Sequence, residues 1–120
     1  VLEMDIIFGI KDNILVAEFL GEVDHHCSAK ARADIDEAME GYGSKNLIID
    51  LSRVTFMDSS GIGIILGRYR KLSASGGRVA ISGGTKAVRS ILNMAGVFSI
   101  IDYMDTVDQA IEYLSRKEVS

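Results

Sequence analysis

Asp58-Ser59-Ser60-Gly61 stands between two unlike runs of residues. Before it, Leu47-Ile48-Ile49-Asp50-Leu51 is almost wholly aliphatic. After it, Ile62 to Leu72 carries apolar residues at helical spacing. Asp and Ser are favoured at helix starts because their side-chain oxygens accept hydrogen bonds from first-turn amides. A helix start also carries unpaired N–H groups and a partial positive charge, both of which stabilise an anion. The two hydroxyls therefore fit ordinary capping, or phosphoryl acceptance where the added charge can be held. Glu22 and Asp24 leave a similar choice: they are solvated loop acids, or part of a binding rim beside Ser59.

Other chemistries fit less well. In Gly61-Ile62-Gly63-Ile64-Ile65-Leu66-Gly67, Leu66 occupies the place of the third glycine in a dinucleotide fingerprint. The acidic turn before it would repel a pyrophosphate. The phosphate-loop pattern Gly-Lys-Ser/Thr is absent. His25 and His26 are adjacent, so on a helix they point about 100° apart and do not converge on one metal. With Cys27 they suggest zinc, but no second ligand cluster accompanies them. A hydrolase using Ser59 or Ser60 with a histidine and an aspartate is conceivable, yet the Gly-x-Ser-x-Gly elbow is missing. Cys27 lies on an apolar stripe and reads as a core residue.

The elements that must position these groups follow from periodicity. Met4 to Ile10 and Ile14 to Leu20 read as strands joined by the turn residues Lys11-Asp12-Asn13, an antiparallel hairpin. Gly21 to Asp24 reads as a loop. His25 to Glu40 carries Cys27, Ala31, Ile35, Ala38 and Met39 at helical spacing and ends at Gly41-Tyr42-Gly43. The run Leu47–Leu51 suits a central parallel strand covered on both faces. Arg78 to Ser82 is a further strand. Lys86 to Ala95 is a helix with Thr85 as N-cap and Gly96 at its end. Phe98 to Ile101 reads as a short edge strand. Thr106-Val107-Asp108-Gln109 opens a last helix with a capping box. After the hairpin, strands and helices alternate, which predicts an α/β fold with a mixed, mostly parallel sheet and about four helices. Residues 1–120 are expected to form a single domain, as no linker, repeat or low-complexity segment interrupts them.

In the helix after the serines, Ile62, Ile65, Leu66, Tyr69 and Leu72 fall on one arc, expected to face the sheet. The opposite arc carries Gly63, Ile64, Gly67, Arg68 and Lys71. Each interior glycine costs about 1 kcal/mol relative to alanine. The glycines serve close packing within the protein, or they leave a flat face, with Ile64 exposed between them, for another protein's backbone.

Bulk properties narrow the class. A net charge of −4 argues against a nucleic-acid backbone as partner. No apolar run approaches the roughly 20 residues that span a bilayer, and no signal-peptide pattern is visible. One cysteine allows no internal disulfide and fits a reducing, cytoplasmic setting.

Phe56-Met57-Asp58-Ser59-Ser60-Gly61-Ile62-Gly63 resembles the signature of the STAS domain of anti-sigma factor antagonists. Gly21-Glu22-Val23-Asp24-His25-His26 before a helix resembles that family's earlier motif, and Ile64-Leu66-Gly67-Arg68-Tyr69 continues the match. The likeness covers nearly the whole chain. Asp-Ser-Ser-Gly and the paired histidines resemble the sporulation branch, antagonists of the anti-sigma F factor, more than the general-stress branch. The resemblance implies a STAS fold and a partner switch. The dephosphorylated antagonist binds an anti-sigma factor, which is also an ATP-dependent serine kinase, and so frees the sigma factor. Phosphorylation by that kinase ends the binding, and a serine phosphatase restores it. The phosphorylated serine matches Ser59, with Ser60 as its unmodified neighbour. The expected partner-binding residues are Glu22, Asp24, Asp58, Ser60, Gly61, Gly63, Ile64, Gly67 and Arg68. The antagonist is then a substrate and binder, not an enzyme; it needs no cofactor, and ATP and magnesium belong to the kinase. A STAS domain of a general-stress system and a small nucleotide-binding enzyme are the alternatives.

Overall fold

Burial of the aliphatic run around Ile49 dictates the architecture. In a computed structural model, which describes residues 4–117, the chain forms β1 (Asp5–Lys11), β2 (Ile14–Val23), α1 (Ser28–Tyr42), β3 (Asn46–Met57), α2 (Ser59–Ala74), β4 (Arg78–Ser82), α3 (Lys86–Met94), a 3-10 turn (Val97–Ser99), β5 (Asp102–Met104) and α4 (Val107–Lys117). The five strands lie in the order β1-β2-β3-β4-β5. β1 and β2 are antiparallel, and the remaining pairs are parallel. β3 is thus central, as its composition predicts, and Leu47 through Ile49 are fully buried.

Alternation along the strands sends side chains into two layers. Leu47, Ile49 and Leu51 pack with Ala31 and Ile35 of α1, Ile64 and Ile65 of α2, and Val88 and Leu92 of α3. On the other face, Ile14, Ile48 and Ala80 pack with Ala110, Ile111 and Leu114 of α4. The β1–β2 hairpin turns on Asp12 and Asn13, both at positive φ (53° and 64°), which these short polar side chains tolerate. Thr85 caps α3 by accepting from the Val88 amide at 3.2 Å. Thr106 and Gln109 form the reciprocal pair expected of a capping box.

Several boundaries differ from the sequence reading: β3 runs on past Leu51 to Met57, and α2 starts at Ser59, before Ile62. Residues 97–99 form a 3-10 turn and the fifth strand lies later, at Asp102–Met104. Gly96, at φ 78°, redirects the chain, and Val97 and Ile101, one turn apart, both bury on the core side. β2 continues past Leu20 to Val23 because Gly21, at φ 91°, absorbs a register shift against β3 without ending the pairing. α1 starts at Ser28, leaving His25 and His26 exposed in the preceding turn.

Two polar groups sit inside the sheet and are satisfied there. Asn46 Oδ1 accepts the Arg78 amide at 3.0 Å. Asp50 accepts from the Ser52 amide at 3.2 Å, the Ser52 hydroxyl at 3.0 Å and the Ser82 hydroxyl at 3.2 Å. Close by, the Tyr103 hydroxyl donates to the Gly83 carbonyl at 3.0 Å. Burial pushes this phenol up; Arg89 opposes the effect, and Asp105 and Asp50 add to it. Asp50→Ala would orphan the fully buried Ser82 hydroxyl. We expect it to lower unfolding free energy by about 1–3 kcal/mol in urea titration. Ser52→Ala, at an exposed residue, should cost less, and equal losses for the two variants would contradict this account of the network.

Candidate functional site

The turn from β3 into α2 is built by three main-chain and side-chain contacts. Asp58 is the N-cap of α2, with extended backbone, and its Oδ1 accepts the Ser60 amide at 2.8 Å. Its carbonyl accepts the Gly61 amide at 3.0 Å. Its own amide donates to the Val23 carbonyl at 3.1 Å, which ties the end of β2 to the turn. Ser59 is then the first residue of the helix and is exposed, whereas Ser60 is half-buried. Asp58 is the cap, so Ser59 is not needed for that task.

Gly61 has a steric reason to be glycine. It is buried, and a Cβ there would lie 2.4 Å from Met57 Cγ and 2.8 Å from Met57 Sδ. Met57 is itself 1% exposed. The first turn of α2 therefore rests directly on the last residue of β3. Gly61 seats the helix; being buried, it offers no side-chain surface of the kind expected of a partner-binding residue.

The outer face of α2 is narrower than the helical wheel predicts. Ile64 is fully buried, which corrects the expectation that it lies exposed between two glycines. Arg68, one turn further, has a side chain only 11% exposed. Its Nη1 lies 3.2 Å from Asp36 Oδ1 and donates to the Arg32 carbonyl at 3.1 Å. Lys71 reaches the same Asp36 at 3.0 Å. The wheel assumed one covered side, but α2 touches both the sheet and α1, and the Ile64–Arg68 stripe faces α1. Outside lie Gly63, exposed, and Gly67, half-exposed, with Arg70 and Lys71 exposed further along the helix. A Cβ at either glycine would meet no neighbouring atom within 4 Å, so no packing inside the protein calls for glycine there.

Glu22 and Asp24 are half-buried on the segment that the Val23–Asp58 hydrogen bond holds against the turn. Asp24 Oδ1 accepts the His26 amide at 2.9 Å and lies 3.6 Å from His26 Nδ1. The two imidazole rings lie against each other, centroids 3.9 Å apart and tilted by 37°. Cys27 is half-buried; its thiol donates to the Asp24 carbonyl at 3.0 Å and lies 3.8 Å from Met4 Sδ. Among the described residues, no group of three or more His, Cys, Asp or Glu is placed to hold a metal ion. A groove of about 300 Å³ lined by Ile35, Met39, Lys45, Lys71 and Leu72 lies at the C-terminal ends of α1 and α2. Its lining on α2 begins at Arg68, about 14 Å along the helix from Ser59. The sequence reading overlooked Phe56, which is 48% exposed immediately before Met57; an aromatic in a signature was the available signal.

Gly61 and Gly63 lie two residues apart in α2 with opposite surroundings, and their alanine variants should diverge. Gly61→Ala should destabilise the protein by about 1–3 kcal/mol through overpacking on Met57. Gly63→Ala should stabilise it by roughly 0.5–1 kcal/mol. Urea denaturation of both variants checks this, and a gain in both would remove the Met57 contact from the argument.

Comparison with known proteins agrees with this geometry. Residues 5–110 match the family model of the STAS domain. An anti-sigma F factor antagonist of Paenibacillus polymyxa is 36% identical over 106 residues, covering 88% of each chain. The structure of the anti-sigma factor antagonist SpoIIAA in its unphosphorylated form is similar, with a TM-score of 0.80 and 29% identity over 92% of this chain and 96% of that one. SpoIIAA in its phosphorylated form gives a TM-score of 0.71 at 29% identity, over 91% and 98% of the two chains. A mixed five-stranded sheet, a capped serine turn at the end of its central strand and a family match across residues 5–110 lead to one conclusion: the chain belongs to the STAS domain family.

Proposed function

We propose that this protein is an anti-sigma factor antagonist of the sporulation type, controlled by phosphorylation of Ser59. In the dephosphorylated form it binds an anti-sigma factor that is also an ATP-dependent serine kinase, and so releases a sigma factor in the cytoplasm. A serine phosphatase reverses the modification. The protein acts by binding and as a substrate; ATP and magnesium belong to the kinase. The observation that carries this reading is the exposed Ser59 at the first position of α2, with capping already supplied by Asp58. The similarity to the Paenibacillus antagonist and to SpoIIAA, known in unphosphorylated and phosphorylated forms, supports it. No described helix is long and apolar enough to cross a membrane.

The switch follows from charge. Phosphorylation adds about −1.5 to −2 charges at pH 7. Here the new charge joins Asp58, with Glu22 and Asp24 on the segment tied to the same turn. A partner surface matched to a neutral hydroxyl then meets repulsion and an unpaid desolvation cost. The helix start tolerates the anion, so the fold survives while the contact is lost. The proposed contact surface comprises Glu22, Asp24, Asp58, Ser60, Gly63 and Gly67. Gly61 supports it from below, and Ile64 and Arg68 act through the packing of α2 on α1.

Ser59→Ala should abolish labelling by the cognate kinase and leave the circular dichroism spectrum unchanged. Ser59→Asp should weaken binding only in part, since one carboxylate has less charge and fewer acceptor oxygens than phosphate. Phosphate found by mass spectrometry on Ser60 would refute the assignment. Gly67→Leu should weaken binding to the anti-sigma factor at least tenfold, about 1.4 kcal/mol, by steric intrusion. Its thermal midpoint should not fall, because leucine is the better helix former. Calorimetric affinity equal to wild type would take the outer face of α2 out of the interface.

A further inference from the structure

α4 leaves part of its sheet face open. Its contacts there are with Ile14 and Ile48, near the N-terminal ends of β2 and β3, with Ala80 in the middle of β4 and with Met104 of β5. Towards the C-terminal ends, Glu22 pairs with Phe56 and Val23 with Met57 in the β2–β3 register. Val23 and Met57 belong to the core shared with α1, α2 and α3. By alternation, Glu22 and Phe56 project from the other face, where Leu20 and Arg53 form the next pair of the register. Leu20 is half-buried, and Phe56 is 48% exposed. An aromatic ring is thus presented to solvent among one apolar and two charged neighbours. Aromatic side chains, Phe among them, are enriched in the buried cores of protein interfaces.

We propose that Phe56 is a partner anchor: the surface that engages the anti-sigma factor continues from Ser59 over the end of β3 onto this open sheet face, where the ring takes an apolar side chain of that partner. The inference rests on the reading of Ser59 as the phosphorylated residue. Its weight comes from continuity. Phe56 precedes Ser59 by three residues, at most about 10 Å of extended chain. A standard interface buries about 800 Å² on each partner, a patch reaching roughly 16 Å from its centre. A kinase that closes on Ser59 therefore has Phe56 within reach around the end of β3. The Val23–Asp58 hydrogen bond and the Met57–Gly61 contact hold the ring and the serine on one rigid frame. Burying the ring removes from water an apolar group that the protein itself leaves half-covered.

The test compares wild type, Phe56→Ala and Phe56→Leu against the purified anti-sigma factor. Calorimetric affinity and the initial rate of Ser59 labelling are the readouts, with thermal melting as the control. Phe56→Ala should bind at least tenfold more weakly at an unchanged melting midpoint, and Phe56→Leu should recover most of the loss. If Phe56→Ala melts early, Phe56→Gln, which removes the ring but keeps side-chain length, replaces it. Affinity and labelling within twofold of wild type for folded Phe56→Ala would overturn the anchor while leaving the Ser59 reading intact. Wild-type protein that is neither bound nor labelled would overturn both. A change in oligomeric state by sedimentation, with partner affinity unchanged, would assign the ring to contact between two copies of this chain and would also refute the proposal.

Discussion

β3 is the strand that must be covered on both faces, and the rest of the chain is arranged to cover it. Leu47, Ile48, Ile49 and Leu51 are all fully buried, each stabilising the fold by about 1.5–3 kcal/mol relative to exposure. Alternating faces require a layer on each side. Three helices supply one and α4 the other. β2 and β4 satisfy the backbone groups of β3 as parallel neighbours, and β1 closes the β2 side by a hairpin. The polar residues inside this sandwich, Asn46 and Asp50, each find hydrogen-bond partners, so burial of the strand carries no large unpaired cost.

Rigidity at the C-terminal end of β3 connects that core to the site. Met57 is the last residue of the strand and the floor of the first turn of α2, because Gly61 has no Cβ to hold it off. Asp58 caps the helix and binds the Val23 carbonyl with its amide, so the ends of β2 and β3 and the start of α2 meet at one residue. Ser59 is the next residue out. Its exposure is therefore a consequence of packing below it, not of a loose loop. A modification here acts on the surface without having to disturb the core, which is the physical requirement of a reversible binding switch.

α2 divides its labour by face. One side carries Ile64 and Ile65 into the core, and a flank fixes α1 through Arg68, Lys71 and Asp36. The remaining strip carries Gly63 and Gly67, whose surroundings are open, and the exposed Arg70. Those glycines lower helix propensity without relieving any internal clash. Such a cost fits a surface that something outside approaches closely, and it contrasts with Gly61, where the clash is internal.

Local signals were enough for most of the fold. The nearly unbroken aliphatic run marked the central strand, the alternation of strand and helix marked the parallel sheet, and Thr85, Thr106, Gly43 and Gly96 marked helix ends, because these depend on chemistry within a few residues. The capped serine turn and its family resemblance were equally readable in Asp58-Ser59-Ser60-Gly61. Tertiary structure decided which sides of the elements stay outside. Ile64 and Arg68 lie inside because α2 has two neighbours, and a wheel drawn for one neighbour cannot show the second. β2 runs on to Val23 because pairing with β3 continues through the bend at Gly21. Residues 97–99 turn instead of extending because Val97 and Ile101 reach the core together. Phe56 is exposed because α4 stops short of it, a matter of where one helix ends on a sheet whose strands come from the whole length of the chain.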